Sequence, residues 1–504
     1  MKSPEEDALR SQLTFMQLQL SQYSAHSVVR VAFEALSETK AWTLQDIEAM
    51  PWLTLLVVKW AMQNPNCRLY LGKEISRLEF DRFRQRAWDL TGPAKAGAAN
   101  VNAMLRSILP VQIEFQRRSP WGFMRWACLT VRLPADHPSR QQFVQELQLS
   151  PEEFIDACWI VHPPIVGGGR AISVEWLKGI APAYKDAVNR LLHLLGTDFL
   201  GLRSALSEQS PAYGPSSWEL FELPFVRKLP FFRTPSGAWR IWHPAMFERS
   251  LEDAIHLILT PLKGEYTQIF SRVFESYVVE LAKEVWPDLI DEAAWKQVMG
   301  HNATAVEGII PVGAVNVFIE SKMSLFHDAV IIDDSPEKLV SRLERVIEAV
   351  KQGRKTSQLL RQQPRDFHRW AQATEEFLLI VTSRELHIGG GLALKRLLPP
   401  GALDYDDDAL AKRLPAENVF VISIESFEHL QGIVRDHNID VVNLLRVAAA
   451  ANRDFATSKM YFDDHLKKYA KNGWPVVSVV QAQKEATVER LERAFGQNAL
   501  GVEP

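Results

Sequence analysis

The stretch Ala305–Lys322, AVEGIIPVGAVNVFIESK, places two carboxylates and a lysine on two adjacent apolar segments. Val315, Val317 and Ile319 alternate with Asn316, Phe318 and Glu320, so a strand of period two sends Glu320 and Lys322 out on one face. Glu307 lies thirteen residues before Glu320, on a segment ending in the Gly313 turn, from which it can converge on that face. Hydrolysis of a phosphodiester needs hard oxygen ligands for a divalent cation and a positive group beside the attacking water, and this trio supplies both. The same residues also fit a half-buried strand whose charges are merely solvated. Against that stands the apolar run Val315–Ile319, since acids at its rim strand their charge unless a cation or a network gathers them.

Working outward, Tyr266–Val285 carries Ile269, Val273, Tyr277, Leu281 and Val285 at helical spacing, with Phe274 and Val278 widening the stripe. Downstream, Pro336–Leu360 is helix-patterned through Leu339, Leu343, Val346, Ile347 and Val350. Phe377–Thr382, FLLIVT, then has the composition of a buried strand, and Asn418–Ile424 is a further strand candidate that can extend the same sheet.

The order of helix, acid, apolar strand with E-x-K, helix and strand resembles the PD-(D/E)XK superfamily of restriction-endonuclease-like nucleases, over roughly Gly264 to Glu385. The resemblance implies an α/β core with a central mixed sheet flanked by helices. It implies a metal-dependent endonuclease using Mg²⁺ or Mn²⁺, with Glu307 and Glu320 as metal ligands and Lys322 beside the attacking water. It also makes Glu275, in the F-E-S-Y-V run of the first helix, a candidate third metal ligand, and Gln352 a candidate active-centre residue. One departure stands out: the family's first acid is usually aspartate, and here it is glutamate. Nucleic acid, DNA or RNA, is the implied partner, and bacterial anti-phage defence a frequent setting for such chains. RNA cleavage, for example of tRNA, and a catalytically inactive nucleic-acid-binding sensor or adaptor are the alternatives.

The rest of the 504-residue chain has the composition of ordinary globular protein, 47% hydrophobic and 23% charged, with length for several domains. The expected division is a mostly helical N-terminal region 1–255, for regulation or substrate recognition, a nuclease core 256–430, and a helical C-terminal segment 431–504. Alternation of Val111, Ile113 and Phe115, answered by Phe123–Leu133 across S-P-W-G, predicts a β-hairpin near 111–133. Thr43 with Asp46 offers a capping pair. Short strand-like pieces stand at Phe231–Thr234 and Trp239–Trp242. No apolar run approaches a membrane span, and the charged N-terminus carries no signal-peptide core, so a cytoplasmic protein with no membrane partner is expected. Cys67, Cys128 and Cys158 lack metal or disulfide spacing, and the glycine triplets at 167–169 and 389–391 lack the phosphate-loop order.

A net charge of −4 does not announce a polyanion partner. Locally, however, residues 341–370 hold eight Arg or Lys against three acids. Arg354, Lys355, Arg361, Arg365 and Arg369 are therefore candidate phosphate contacts. A second cluster, Arg117, Arg118, Trp121, Phe123, Arg125 and Trp126, mixes guanidinium and aromatic planes that can stack on unpaired bases.

Overall fold

The computed structural model describes residues 4–37, 50–94, 101–116, 122–165, 171–208, 217–260, 266–323, 336–362, 368–405, 407–454, 456–471 and 473–495. The protein is mixed α/β and divides into two compact units, one of residues 99–107 and 263–481, the other of residues 1–98, 108–262 and 482–504. Residues 431–481 thus group with the expected core, and 482–504 with the N-terminal region.

The first unit is organised on a five-stranded sheet, β1 (Ile290–Asp291), β2 (Gly308–Val312), β3 (Val315–Lys322), β4 (Glu375–Thr382) and β5 (Val419–Ser423), in that spatial order. The β1–β2 and β2–β3 pairs are antiparallel, the β3–β4 and β4–β5 pairs parallel. A two-residue turn joins β2 to β3, and Gly313 takes φ +60 there, a conformation that favours glycine. Helix α1 (Tyr266–Val285) precedes the sheet, α2 (Glu344–Gln362) connects β3 to β4, and α3 (Ile424–His437) follows β5. Along β3 the side chains divide by period two. Phe318 joins Leu378 and Ile380 of β4 and Val419 and Val421 of β5 in a core with Val346, Ile347 and Val350 of α2.

Two helical patterns are realised with differences. The Pro336–Leu360 stripe is split into Pro336–Arg342 and α2, with buried Leu343 between them. On α1 the buried face is Phe270, Phe274, Tyr277, Val278 and Leu281, whereas Ile269 and Val273 are only half-buried. The bulkier phenylalanines take the core, and the stripe rotates toward them.

The glycine run 389–391 serves packing. Gly389 takes φ +78, and a Cβ on Gly391 would lie 2.4 Å from the Ala416 carbonyl oxygen and 2.8 Å from Val419 Cβ. Because the first of these contacts is backbone, Gly391→Ala is expected to destabilise this unit by about 2 kcal/mol. Urea unfolding checks this, and an unchanged midpoint would show that the backbone yields. The triplet at 167–169 lies outside the described residues.

The second unit is mostly helical, with Pro4–Leu20, Ala25–Ser37, Pro51–Gln63 and Arg77–Ala94 in the first hundred residues. It also contains a small sheet in which Trp239–Ile241 lies antiparallel to both Ala171–Ile172 and Phe231–Arg233, and Gly196–Thr197 runs parallel to the latter. Near the C-terminus, Arg490 Nε donates to Asp156 Oδ2 at 3.0 Å.

The expected hairpin near 111–133 is not formed. Residues 101–113 are helical, Gly122–Met124 is a 3₁₀ turn and Arg125–Val131 is a helix. Val111 and Phe115 are both buried and four apart, which is helical spacing, and Arg249 clamps the end of the segment through the carbonyls of Ile113, Glu114 and Gln116. Alternation over three residues was too short to separate the two periods. Thr43, Asp46, Arg117, Arg118 and Trp121 lie outside the described residues. Phe123, Arg125 and Trp126 are buried, with Arg125 paired to Glu252, so they present no stacking surface. All three cysteines are free and buried. Among the described residues no helix is long and apolar enough to cross a membrane.

Candidate functional site

The β2–β3 register pairs Gly308 with Ile319, and one step further along the ladder Glu307 faces Glu320. The two carboxylates, distant in sequence, are therefore cross-strand neighbours whose charges act on each other. Glu307 Oε2 accepts the backbone N–H of Ser321 at 2.7 Å. Glu320 is fully buried, its Oε1 ion-paired with Lys322 and its Oε2 buried with no hydrogen-bond partner. Lys322, two residues on and on the same face, also donates from Nζ to Gln352 Oε1 at 3.2 Å. Gln352, from α2, is itself fixed by donating from Nε2 to the Ala305 carbonyl at 2.6 Å. Glu275 projects from the middle of α1, half-buried, into the same electrostatic neighbourhood. Glu307, Glu320, Lys322 and Gln352 thus belong to one cluster at the end of β3, and Glu275 acts on it through its charge.

The electrostatics follow from three carboxylates gathered around one ammonium. Burial holds Glu320 well above the usual carboxylate range, and Glu307 pushes the same way, against the pull of Lys322. Burial lowers the lysine, but Glu320, Glu307 and Glu275 outweigh it, and its proton is held more tightly than usual. Glu275 is raised by burial and by Glu307. An ordinary ion pair would lower its acid. Here the excess negative charge holds the Glu320 carboxyl up and makes the Glu320 side of the pair a place for a cation.

The donor set suits a small hard cation. Among the described residues no group of three or more His, Cys, Asp or Glu side chains could hold a metal ion by themselves. Magnesium, however, is commonly held by one or two carboxylates, with waters and substrate phosphates completing its shell. The unpartnered Glu320 Oε2 beside Glu307 supplies a donor of that kind.

Three contributors were not read from the sequence: the Ser321 amide, the Ala305 carbonyl, and Glu292, whose charge adds to that around Glu275. The first could have been found by carrying the hairpin register from the Gly313 turn to position 307. The other two depend on tertiary packing and leave no local pattern.

Among the described residues the expected basic track does not form a continuous surface. Arg354 is buried and donates to the carbonyls of Leu403 and Asp404, both at 3.1 Å, with its guanidinium 3.8 Å from the Tyr405 ring centroid. Arg361 donates to the Ser357 and Ala373 carbonyls and pairs at 2.8 Å with Glu376, near the start of β4, at the opposite end of the β3–β4 ladder from Lys322. Lys355 is exposed on α2. Arg365 and the side chain of Arg369 lie outside the described residues. Sign imbalance along the sequence cannot tell an arginine that holds a loop from one that faces solvent. Arg354→Ala is accordingly expected to destabilise this unit by about 2 kcal/mol. The salt dependence of any nucleic-acid binding should stay unchanged, and a shallower salt slope would restore Arg354 as a phosphate contact.

Comparison with protein-family models, with curated proteins and with solved structures returns no match.

Proposed function

We propose that this chain is a metal-dependent nuclease with a restriction-endonuclease-like core, cutting nucleic-acid phosphodiester bonds internally, in the cytoplasm of a bacterium defending itself against phage. The observation that carries the reading is the convergence of Glu307 and Glu320, from neighbouring strands, on Lys322, with Gln352 bonded to its ammonium and the charge of Glu275 acting on it. The order α1, antiparallel β1–β3, α2, parallel β4 is consistent with that core.

Glu307 and Glu320 would hold Mg²⁺ or Mn²⁺, with Glu275 near enough to add negative charge. Such an ion polarises a phosphoryl oxygen and lowers the pKa of water bound to it. The protein's own part begins with Lys322. Two of its three ammonium hydrogens are engaged, by Glu320 and Gln352, and the third can meet the attacking water or a non-bridging phosphate oxygen. Gln352, tied to Ala305, fixes where that ammonium stands. The water oxygen bonds to phosphorus, the bond to one sugar oxygen breaks, and that oxygen takes up a proton.

The test incubates the purified protein and Lys322→Ala with supercoiled plasmid, single-stranded DNA and total cellular RNA, in Mg²⁺, Mn²⁺ or EDTA. Metal-dependent cutting of one polymer, lost in the variant, supports the nuclease and distinguishes DNA from RNA. Binding without cutting in every metal would favour the inactive sensor, and cutting in EDTA would exclude the mechanism.

A further inference from the structure

We infer that position 307 is built for glutamate, and that the aspartate more usual in such nucleases would be the defective residue here. The catalytic half of this inference rests on the nuclease reading, and the geometric half stands without it.

The backbone at Glu307 is held from both sides. Its carbonyl accepts the N–H of Glu292 at 3.3 Å. Its neighbour Gly308, the first residue of β2, is paired on both sides, with Asp291 of β1 and with Ile319 of β3, and the β2–β3 ladder ends with it. Two residues beyond Ile319, the Ser321 N–H points to the same side of β3 as that of Ile319, where the ladder has ended. Ser321 is 1% exposed, so an unmet N–H there would carry the full cost of a buried orphan donor. The Glu307 side chain supplies the missing acceptor, at 2.7 Å.

The same carboxylate must also stand beside Glu320, where a cation would be gathered. One carboxylate therefore does two things: it closes the strand pairing with Oε2 and faces the acid pair with the rest of the group. Shortening the side chain by one methylene withdraws the carboxylate by about 1.5 Å, roughly one carbon–carbon bond. With the backbone fixed, the 2.7 Å hydrogen bond then opens beyond the distance at which it counts as one. Aspartate can reach toward Ser321 or toward Glu320, but not both. Glutamine keeps the reach and the acceptor oxygen and loses the charge, so the two substitutions separate position from charge.

The experiment compares wild type, Glu307→Asp and Glu307→Gln as full-length protein by two readouts. One is amide hydrogen exchange of peptides spanning Ser321. The other is cleavage of plasmid, single-stranded DNA and RNA across a range of Mg²⁺ and Mn²⁺ concentrations. Glu307→Gln should keep wild-type protection at Ser321 and cut at least about a hundredfold more slowly. Glu307→Asp should exchange faster there, cut at least about tenfold more slowly, and need about tenfold more Mg²⁺ for half-maximal rate. Wild-type protection in Glu307→Asp would overturn the geometric half, and a wild-type rate would overturn the catalytic half. If wild type cuts nothing, the nuclease reading and the catalytic half fall, and the exchange data alone decide the geometric half.

Discussion

Replacing Lys322 by alanine should lower metal-dependent cleavage by about a thousandfold, the loss expected when a positioned charge at a developing negative centre is removed. The effect is large because this ammonium is the positive charge paired directly with Glu320, amid the carboxylates of Glu275, Glu307 and Glu320. Alanine also strands a fully buried carboxylate, so lost activity has to be separated from lost fold. Lys322→Arg makes the separation. It keeps the positive charge, but a planar guanidinium cannot reproduce a point charge shared between Glu320 and Gln352. The arginine variant should therefore match wild type in circular dichroism and thermal midpoint while cutting nearly as poorly as alanine. Near-wild-type cleavage by Lys322→Arg would mean that charge alone matters there, and cleavage by Lys322→Ala would remove the lysine from the chemistry.

Why this cluster could be anticipated, and other features could not, comes down to the range of the interactions. Glu320 and Lys322 share a face because a strand has period two, a property of the backbone that holds wherever a strand forms. Glu307 meets Glu320 because the turn at Gly313 has two residues, and a two-residue turn sets the register for the whole hairpin. Both arguments are local. The stretch Val111–Phe115 was local too, but too short to separate a period of two from one of 3.6, and the i, i+4 burial of Val111 and Phe115 decided for helix. Arg354 failed for a different reason. Its partners, the Leu403 and Asp404 carbonyls, lie some fifty residues away and are brought to it by the packing of the sheet unit. No composition rule sees such a contact, because a guanidinium that binds phosphate and one that caps a loop are the same residue until the fold is known. The rotated stripe on α1 falls between these cases, its helix legible and its buried face set by which large side chains the sheet could accommodate.

Acid should unfold the helical unit earlier than its carboxylates alone would suggest, and His256 is the reason. It lies in the helix Pro244–Leu259, fully buried, with its ring edge-on to Trp126 at 4.5 Å between centroids. Burial disfavours the imidazolium and holds its pKa at about 3, against 6.5 for a free imidazole. The folded-state value is depressed, so the unfolded chain takes up a proton below pH 6.5 that the folded chain refuses until about pH 3. The stabilisation is thus complete above pH 6.5 and is lost as the pH falls through that window. At about 1.4 kcal/mol per pH unit, the loss over the whole window is on the order of 5 kcal/mol, a large part of the stability of an ordinary domain. His256→Leu isolates the effect. The variant carries a fixed offset from lost contacts, but its stability should fall less steeply between pH 7 and pH 4. Urea unfolding at several pH values, followed by tryptophan fluorescence, reads this unit preferentially, since eleven of the fifteen tryptophans precede residue 260. Parallel pH dependences in wild type and variant would show that the imidazole gains its proton in the folded state, and that the His256 pocket opens to water before the unit unfolds.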